Sequence, residues 1–304
     1  MFGPETLQRD IAYLAAKRSI DDLALNHHVW QTLWSQPLPE SPRILEAGAG
    51  IGTMLERLLE QDRLRTGHYL AIDQQPAFLA EARARHLRWG EQHGLSTEFD
   101  LQRLHLRSEQ VDLEITYLQT DLAKLSATVP AGSIDLLLGH ALLDLVDLAS
   151  SLPGLLGCLT PAGLFHFSLN FDGVTSFQPE VDPELDRRIA ELYHTSMDER
   201  QVGGLASGDS RTGRRLLGWL VDNDQELLAA GGSDWVVHPR DHAFASDERI
   251  LLETILMTIE RQLQGHPALD ATAFSTWLAT RRTQLAEGRL VFLTHQLDVV
   301  GRRR

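Results

Sequence analysis

Hydrophobic positions change rhythm along this chain, and each change marks an element. Over residues 5–35, Ile11, Leu14, Ala15, Ile20, Leu23, Leu25, Val29 and Leu33 recur at helical spacing. That pattern predicts helix until Pro37, Pro39 and Pro42 interrupt it. RILEA (43–47) is a short apolar run that ends in glycines, the pattern of a strand. Met54, Leu55, Leu58 and Leu59 restore helical spacing between Thr53 and Leu64. The cycle repeats with a strand at 68–73, a helix from Pro76 to Gly90 with proline near its start, and a strand at 113–121. A strand at 133–141, a helix from Leu142 to Leu159 stopped by Pro161 and Gly163, and a strand at 164–171 follow. Residues 91–112 are polar and show neither period. Alternating strands and helices predict a doubly wound parallel sheet. DLLLG lacks polar alternation, as a strand covered on both faces requires.

After Phe171 the rhythm loosens. A helix is predicted from Pro183 to Met197 and another from Leu216 to Ala230, stopped by Gly231-Gly232. DWVVHP (234–239) reads as a strand. Asp247–Gln264 and Asp270–Glu287 read as helices with aspartate N-caps, and residues 290–300 as the last strand. The expected architecture is α/β: a doubly wound, mainly parallel, seven-stranded sheet with helical cap insertions. Its expected divisions are an N-terminal helical segment (1–42), a core (43–171), a cap insertion (172–212), and the rest of the sheet (213–304) with a helical insertion at about 240–288.

Composition narrows the function classes. With 304 residues, 43% hydrophobic and 23% charged, the chain has enough apolar material for a large core, and no disordered class fits. A net charge of −14, with basic clusters only at Arg281-Arg282 and Arg302–Arg304, argues against a nucleic-acid partner. The single Cys158 excludes an internal disulfide and a multi-cysteine zinc site. No apolar leader or run of about 20 apolar residues is visible, so a cytoplasmic protein without a membrane partner is expected. Thirteen histidines invite a metal reading, but His27-His28 and His238/His242 are weak pairs, and Pro239 argues against a helix joining the latter. No metal is expected.

The sharpest chemical signal is Glu46-Ala-Gly48-Ala-Gly50-Ile-Gly52-Thr53, between a strand and a helix. Glycines there let the backbone approach a ligand, and the following helix presents free N–H groups. The spacing is G-x-G-x-G, not the G-x-G-x-x-G of dinucleotide-binding domains. LEAGAGIGT resembles motif I of class I S-adenosylmethionine-dependent methyltransferases. The resemblance implies that Gly48, Gly50 and Gly52 form the loop beneath the cofactor's methionine part and that Glu46 is the motif acid. It assigns Asp73, with Gln74 beside it, to the ribose hydroxyls, and Asp121-Leu122 to the adenine. It sets His140, at the end of the fourth strand, against the methionine end. The match covers residues 43–171 well and 213–239 loosely. It implies that the last strand lies antiparallel beside 164–171.

The implied activity is in-line methyl transfer from S-adenosylmethionine to a small molecule. His194 and Asp172 are the candidate general bases, needed only if the acceptor arrives protonated. GDSRTGR (208–214) is a candidate anion site or a capped, solvated loop. The insertions and the N-terminal helix are expected to cap the methyl group. A catalytically silent S-adenosylmethionine-binding module, a nicotinamide-dependent oxidoreductase and aminopropyl transfer remain alternatives at this point. The oligomeric state is not readable from the sequence.

Overall fold

The computed structural model describes residues 4–202 and 205–304; residues 1–3 of the N-terminal segment and 203–204 of the predicted cap lie outside the described residues. The chain opens with α1 (Pro4–Ala24) and α2 (His27–Trp34). The single helix expected over 5–35 breaks at Asn26, whose side chain accepts from the Val29 N–H and starts α2 as its N-cap. Next come β1 (Arg43–Ala47), α3 (Thr53–Glu60), β2 (Thr66–Asp73) and α4 (Pro76–Gln92). The stretch 91–112, which showed no period, folds as a hairpin of β3 (Ser96–Asp100) and β4 (Arg103–Arg107), followed by β5 (Asp112–Gln119). The helical turn α5 (Leu125–Thr128), β6 (Ile134–His140), α6 (Leu148–Gly157) and the 20-residue β7 (Leu159–Gln178) follow. Asp147 caps α6, which is why that helix begins later than Leu142.

The C-terminal third holds α7 (Pro183–Asp198), the two-residue strands β8 (Gln201–Val202) and β9 (Leu205–Ala206), α8 (Thr212–Asp222) and β10 (Glu226–Gly232). It ends with β11 (Trp235–Val237), α9 (Ser246–Leu263), α10 (Ala271–Ala286) and β12 (Val291–Arg302). The helix expected through Ala230 stops at Asp222. Residues 226–232 pair antiparallel with β12, so tertiary pairing overrides the helical propensity of ELLAA. At α9 the cap is Ala245, whose N–H donates to Glu248, rather than Asp247; Asp270 does cap α10, as expected.

The sheet runs β10-β12-β7-β6-β1-β2-β5-β4-β3, with β11 also on β12. Its five central strands β7-β6-β1-β2-β5 are parallel, and β12 lies antiparallel beside β7, as expected. Among the described residues it has ten strands rather than seven because β3, β4 and β10 add to the edges. One face is covered by α2, α3 and α4 through Trp30, Leu33, Leu55, Leu58 and Ala82; the other by α6 and α8 through Leu152, Leu155, Leu216 and Leu220. A third core joins α7, α9 and α10 to Phe177, Phe292 and Ile20. The apolar stripes of α9 and α10 bury there. β6 ends opposite Ser168, whereas β7 continues to Gln178, about 33 Å farther at the usual rise. The third core is therefore built on the edge where the parallel strands end.

Candidate functional site

At that edge β1 leads into the glycine loop. Gly48, Gly50 and Gly52 all have positive φ, of 68°, 52° and 81°. At Gly52 a side chain would also collide: a Cβ would lie 2.5 Å from Nε2 of His86. His86 is fully buried, its Nε2 2.8 Å from the Gly52 carbonyl and its Nδ1 2.7 Å from the Tyr117 hydroxyl. Burial lowers its pKa to about 4, so the ring is neutral and braces the loop from behind. Gly50 differs. The nearest atom to a Cβ there is Leu14 of α1, at 3.8 Å, so its positive φ serves an open cradle rather than a tight contact.

Asp73 closes the loop. Its Oδ2 accepts the Gly50 N–H at 2.9 Å and its Oδ1 accepts the Gln75 N–H at 2.8 Å. A carboxylate has about four lone-pair sites, so two stay available. Burial raises the Asp73 pKa against the opposing pull of those N–H groups. Gln74 is exposed beside it. Asp121 is exposed at the end of β5, where its Oδ1 accepts from the Ala123 N–H and caps a short 3-10 turn; Leu122 packs half-buried on the adjoining core. Glu46 points into the protein. It is 2% exposed, accepts the Tyr69 hydroxyl at 2.7 Å, and burial pushes its pKa up to about 8.

His140 ends β6 and meets α1. Its Nε2 is 3.1 Å from Oδ2 of Asp21 and its Nδ1 is 2.8 Å from Oγ of Ser168. Asp21 also accepts from Lys17 and, at 3.0 Å, from the Trp235 indole N–H. Burial opposes the Asp21 charge, but the Lys17 ammonium and the His140 ring outweigh it and lower its pKa. Burial brings His140 to about 4. Tyr13 and Tyr193 lie close by; burial raises both pKa values first, followed by the Asp21 charge for Tyr13 and the Asp144 charge for Tyr193. Arg200 donates to the Asp144 carbonyl at 3.0 Å and Ser207 to the Leu145 carbonyl at 2.8 Å, which ties these two residues to the loop after β6. Among the described residues, Nη2 of buried Arg57 and both ring nitrogens of buried His166 have no hydrogen-bond partner. These are donors and acceptors a polar ligand could satisfy.

The two candidate bases have structural partners. His194 bonds Thr175 Oγ1 at 3.0 Å and packs edge-on against Phe171. Asp172 is buried and accepts from both the backbone N–H and Nε of Arg214 at 2.9 Å, so its oxygens anchor the start of α8. Residues 208–214 turn their chemistry inward as well: Asp209 takes Arg215, and Asp198 takes Ser210. Sequence reading missed Tyr13, Lys17, Asp21, Ser168 and Trp235. The available signal was Lys17 and Asp21 lying in line with Tyr13, Ile20 and Ala24 on one helical face, where charges are costly unless paired. No group of three or more potential metal ligands gathers among the described residues, and none of their helices is long and apolar enough to cross a membrane.

No family model matches the chain, and no curated protein matches its sequence. Solved structures do match. A Bacillus halodurans protein with a provisional methyltransferase assignment is 12% identical, with a TM-score of 0.51 over 91% of this chain and 99% of that one. A provisionally assigned type II methyltransferase from Anaeromyxobacter dehalogenans is 17% identical, with a TM-score of 0.50 over 91% and 96%. At such identities the likeness is one of fold. The chain has the Rossmann-like fold of the methyltransferases.

Proposed function

We propose that the chain binds S-adenosylmethionine in the glycine-loop cradle and transfers its methyl group to a small molecule. The observation that carries this reading is the Asp73–Gly50 hydrogen bond beside a loop with three positive-φ glycines, where a Cβ at Gly50 would meet only Leu14, at 3.8 Å. A carboxylate tied to the loop on one side keeps lone pairs for two ribose hydroxyls on the other. Asp121 has one oxygen unused by its cap and lies at the end of the strand after Asp73, where an adenine amino group would meet it. The unpartnered donor of Arg57 suits the carboxylate at the amino-acid end of the same molecule.

The bound sulfonium supplies an electrophilic methyl group with a neutral leaving group. The protein has to hold the acceptor in line and exclude water. The region after Phe171 and α1 form a cap on this edge, and Arg200 and Ser207 bind it to the loop after β6. Tyr13 and Tyr193 of the cap face Asp144 of the loop after β6, a polar, partly aromatic group of side chains suited to a small molecule. The acidic net charge supports the same class over a nucleic acid.

Thermal unfolding with S-adenosylhomocysteine, NAD and NADP tests the reading. A ligand at a hundredfold over its Kd stabilises by about 2.7 kcal/mol. We expect stabilisation by S-adenosylhomocysteine alone. A shift with a nicotinamide nucleotide and none with S-adenosylhomocysteine would establish the oxidoreductase alternative instead.

A further inference from the structure

The Asp21–His140–Ser168 array is more than a packing solution. All three side chains are nearly sealed from solvent, with side-chain exposures of 4% for Asp21 and 8% for His140 and a residue exposure of 0% for Ser168. Asp21 is ionised and can only accept, so Nε2 of the neutral imidazole carries the hydrogen and donates to it. The lone pair is therefore on Nδ1, where it accepts the Ser168 hydroxyl. A carboxylate that fixes a histidine's tautomer and faces the charge that develops on it is the arrangement that makes imidazole a directed proton acceptor. A second observation concerns the backbone. Ala141 and Leu169, the residues immediately after His140 and Ser168, are held at φ 49° and 57°. Such conformations in non-glycine residues gather where a site over-determines them. Here the Ala141 N–H donates to the Ser168 carbonyl at 2.8 Å, and the Leu169 N–H to Asp298 at 2.7 Å.

We infer that His140 takes the proton from the methyl acceptor, that Asp21 is its positioning residue, and that the acceptor is a hydroxyl compound whose O–H replaces the Ser168 hydroxyl at Nδ1. The inference rests on the methyl-transfer reading. In the step, the acceptor's O–H bond breaks and its proton goes to Nδ1. The acceptor oxygen bonds the methyl carbon, and the electron pair of the broken carbon–sulfur bond remains on sulfur. The sulfonium charge vanishes as the imidazolium charge forms, so the buried site keeps its net charge, and Asp21 faces the new cation. The other groups facing His140 are Lys17 on α1, Arg57 on α3 and His166 on β7. Two of these are cations, which disfavours an ammonium acceptor. A carboxylate or thioether acceptor has no proton to lose and would leave the array without a task. Because Asp21 sits on α1, the proton acceptor is complete only with that helix docked.

Nitrogen-15 NMR of histidine-labelled protein, saturated with S-adenosylhomocysteine, tests the inference without turnover. His140 should show a protonated Nε2 and an unprotonated Nδ1. Methanol or phenol, the smallest aliphatic and aromatic hydroxyl probes, should shift the Nδ1 resonance. Asp21→Asn should erase the tautomer preference. Ser168→Ala should move Nδ1 while leaving Nε2 protonated, a reading that does not depend on Asp21→Asn folding. A protonated Nδ1 in the wild type, an unmoved tautomer in folded Asp21→Asn, or indifference of Nδ1 to both probes would each overturn it. Calorimetry on the same samples separates the two claims. Absent S-adenosylhomocysteine binding defeats the methyl-transfer reading, whereas intact binding with the wrong tautomer defeats only the role of His140.

Discussion

The two halves of the site are made in opposite ways. The cradle comes from one local unit, β1 through β2, and its polar contacts are mostly backbone N–H groups gathered by Asp73. The chamber draws on α1, β6, β7 and β11, joining Asp21 to His140 across 119 positions and to Trp235 across 214. A cradle of glycine backbone fails by steric obstruction, with little loss of fold. A chamber of buried, paired side chains fails by leaving charges unpaired, which is a stability effect. The contrast predicts that variants will separate into those that lose ligand and those that lose stability.

Gly50→Val breaks the comparison most severely. The added side chain meets only Leu14, at 3.8 Å from its Cβ, and would take the cofactor's space, so calorimetry should find S-adenosylhomocysteine binding weakened at least about a hundredfold, roughly 2.7 kcal/mol. The fold should survive by circular dichroism, with a strain cost of about 1–2 kcal/mol for the left-handed residue. Asp73→Ala removes a ribose acceptor and should weaken the same titration by about 1–3 kcal/mol.

The buried layer beneath the loop answers to pH. The Glu46 pKa of about 8 lies above its ordinary value of 4.5. The folded state therefore holds a proton that the unfolded state releases, and this stabilisation, complete below pH 4.5, fades as pH rises through 8. His86 and His140, at about 4, and His166, at about 3, act oppositely: they withdraw stability as pH falls below 6.5. Between pH 7 and 8 Glu46 dominates. Urea unfolding of the wild type should lose up to about 1.4 kcal/mol across that unit. Glu46→Gln should flatten that limb; an unchanged slope would mean that Glu46 is ionised in the folded state. The mildest change is Trp235→Phe, which removes a donor from Asp21. It should lower stability by about 1 kcal/mol and leave S-adenosylhomocysteine affinity unchanged. A loss of affinity there would show that cradle and chamber act as one unit.

The same contrast explains what the sequence disclosed. The alternation of apolar runs located the five parallel strands and the last strand, and the glycine spacing located the loop, because each is encoded within about ten residues; the antiparallel direction of the last strand came from the family resemblance. The β3–β4 hairpin stayed hidden because its outer face is polar, as in Arg103, His105 and Arg107, and only Leu104 and Leu106 turn inward. β10 was read as helix because ELLAA favours helix until β12 pairs with it. Lys17 and Asp21 went unassigned because the partners of Asp21 beyond α1, His140 and Trp235, lie far along the chain, and His140 was assigned by resemblance without any sign of Asp21.

A crystal structure of the chain with S-adenosylhomocysteine would show whether the glycine loop and Asp73 hold the cofactor. Both ribose hydroxyls should lie within hydrogen-bond distance of the Asp73 carboxylate, with the amino-acid end of the ligand between Gly50 and His140. A ligand bound away from the glycine loop, or a ribose with no contact to Asp73, would contradict it.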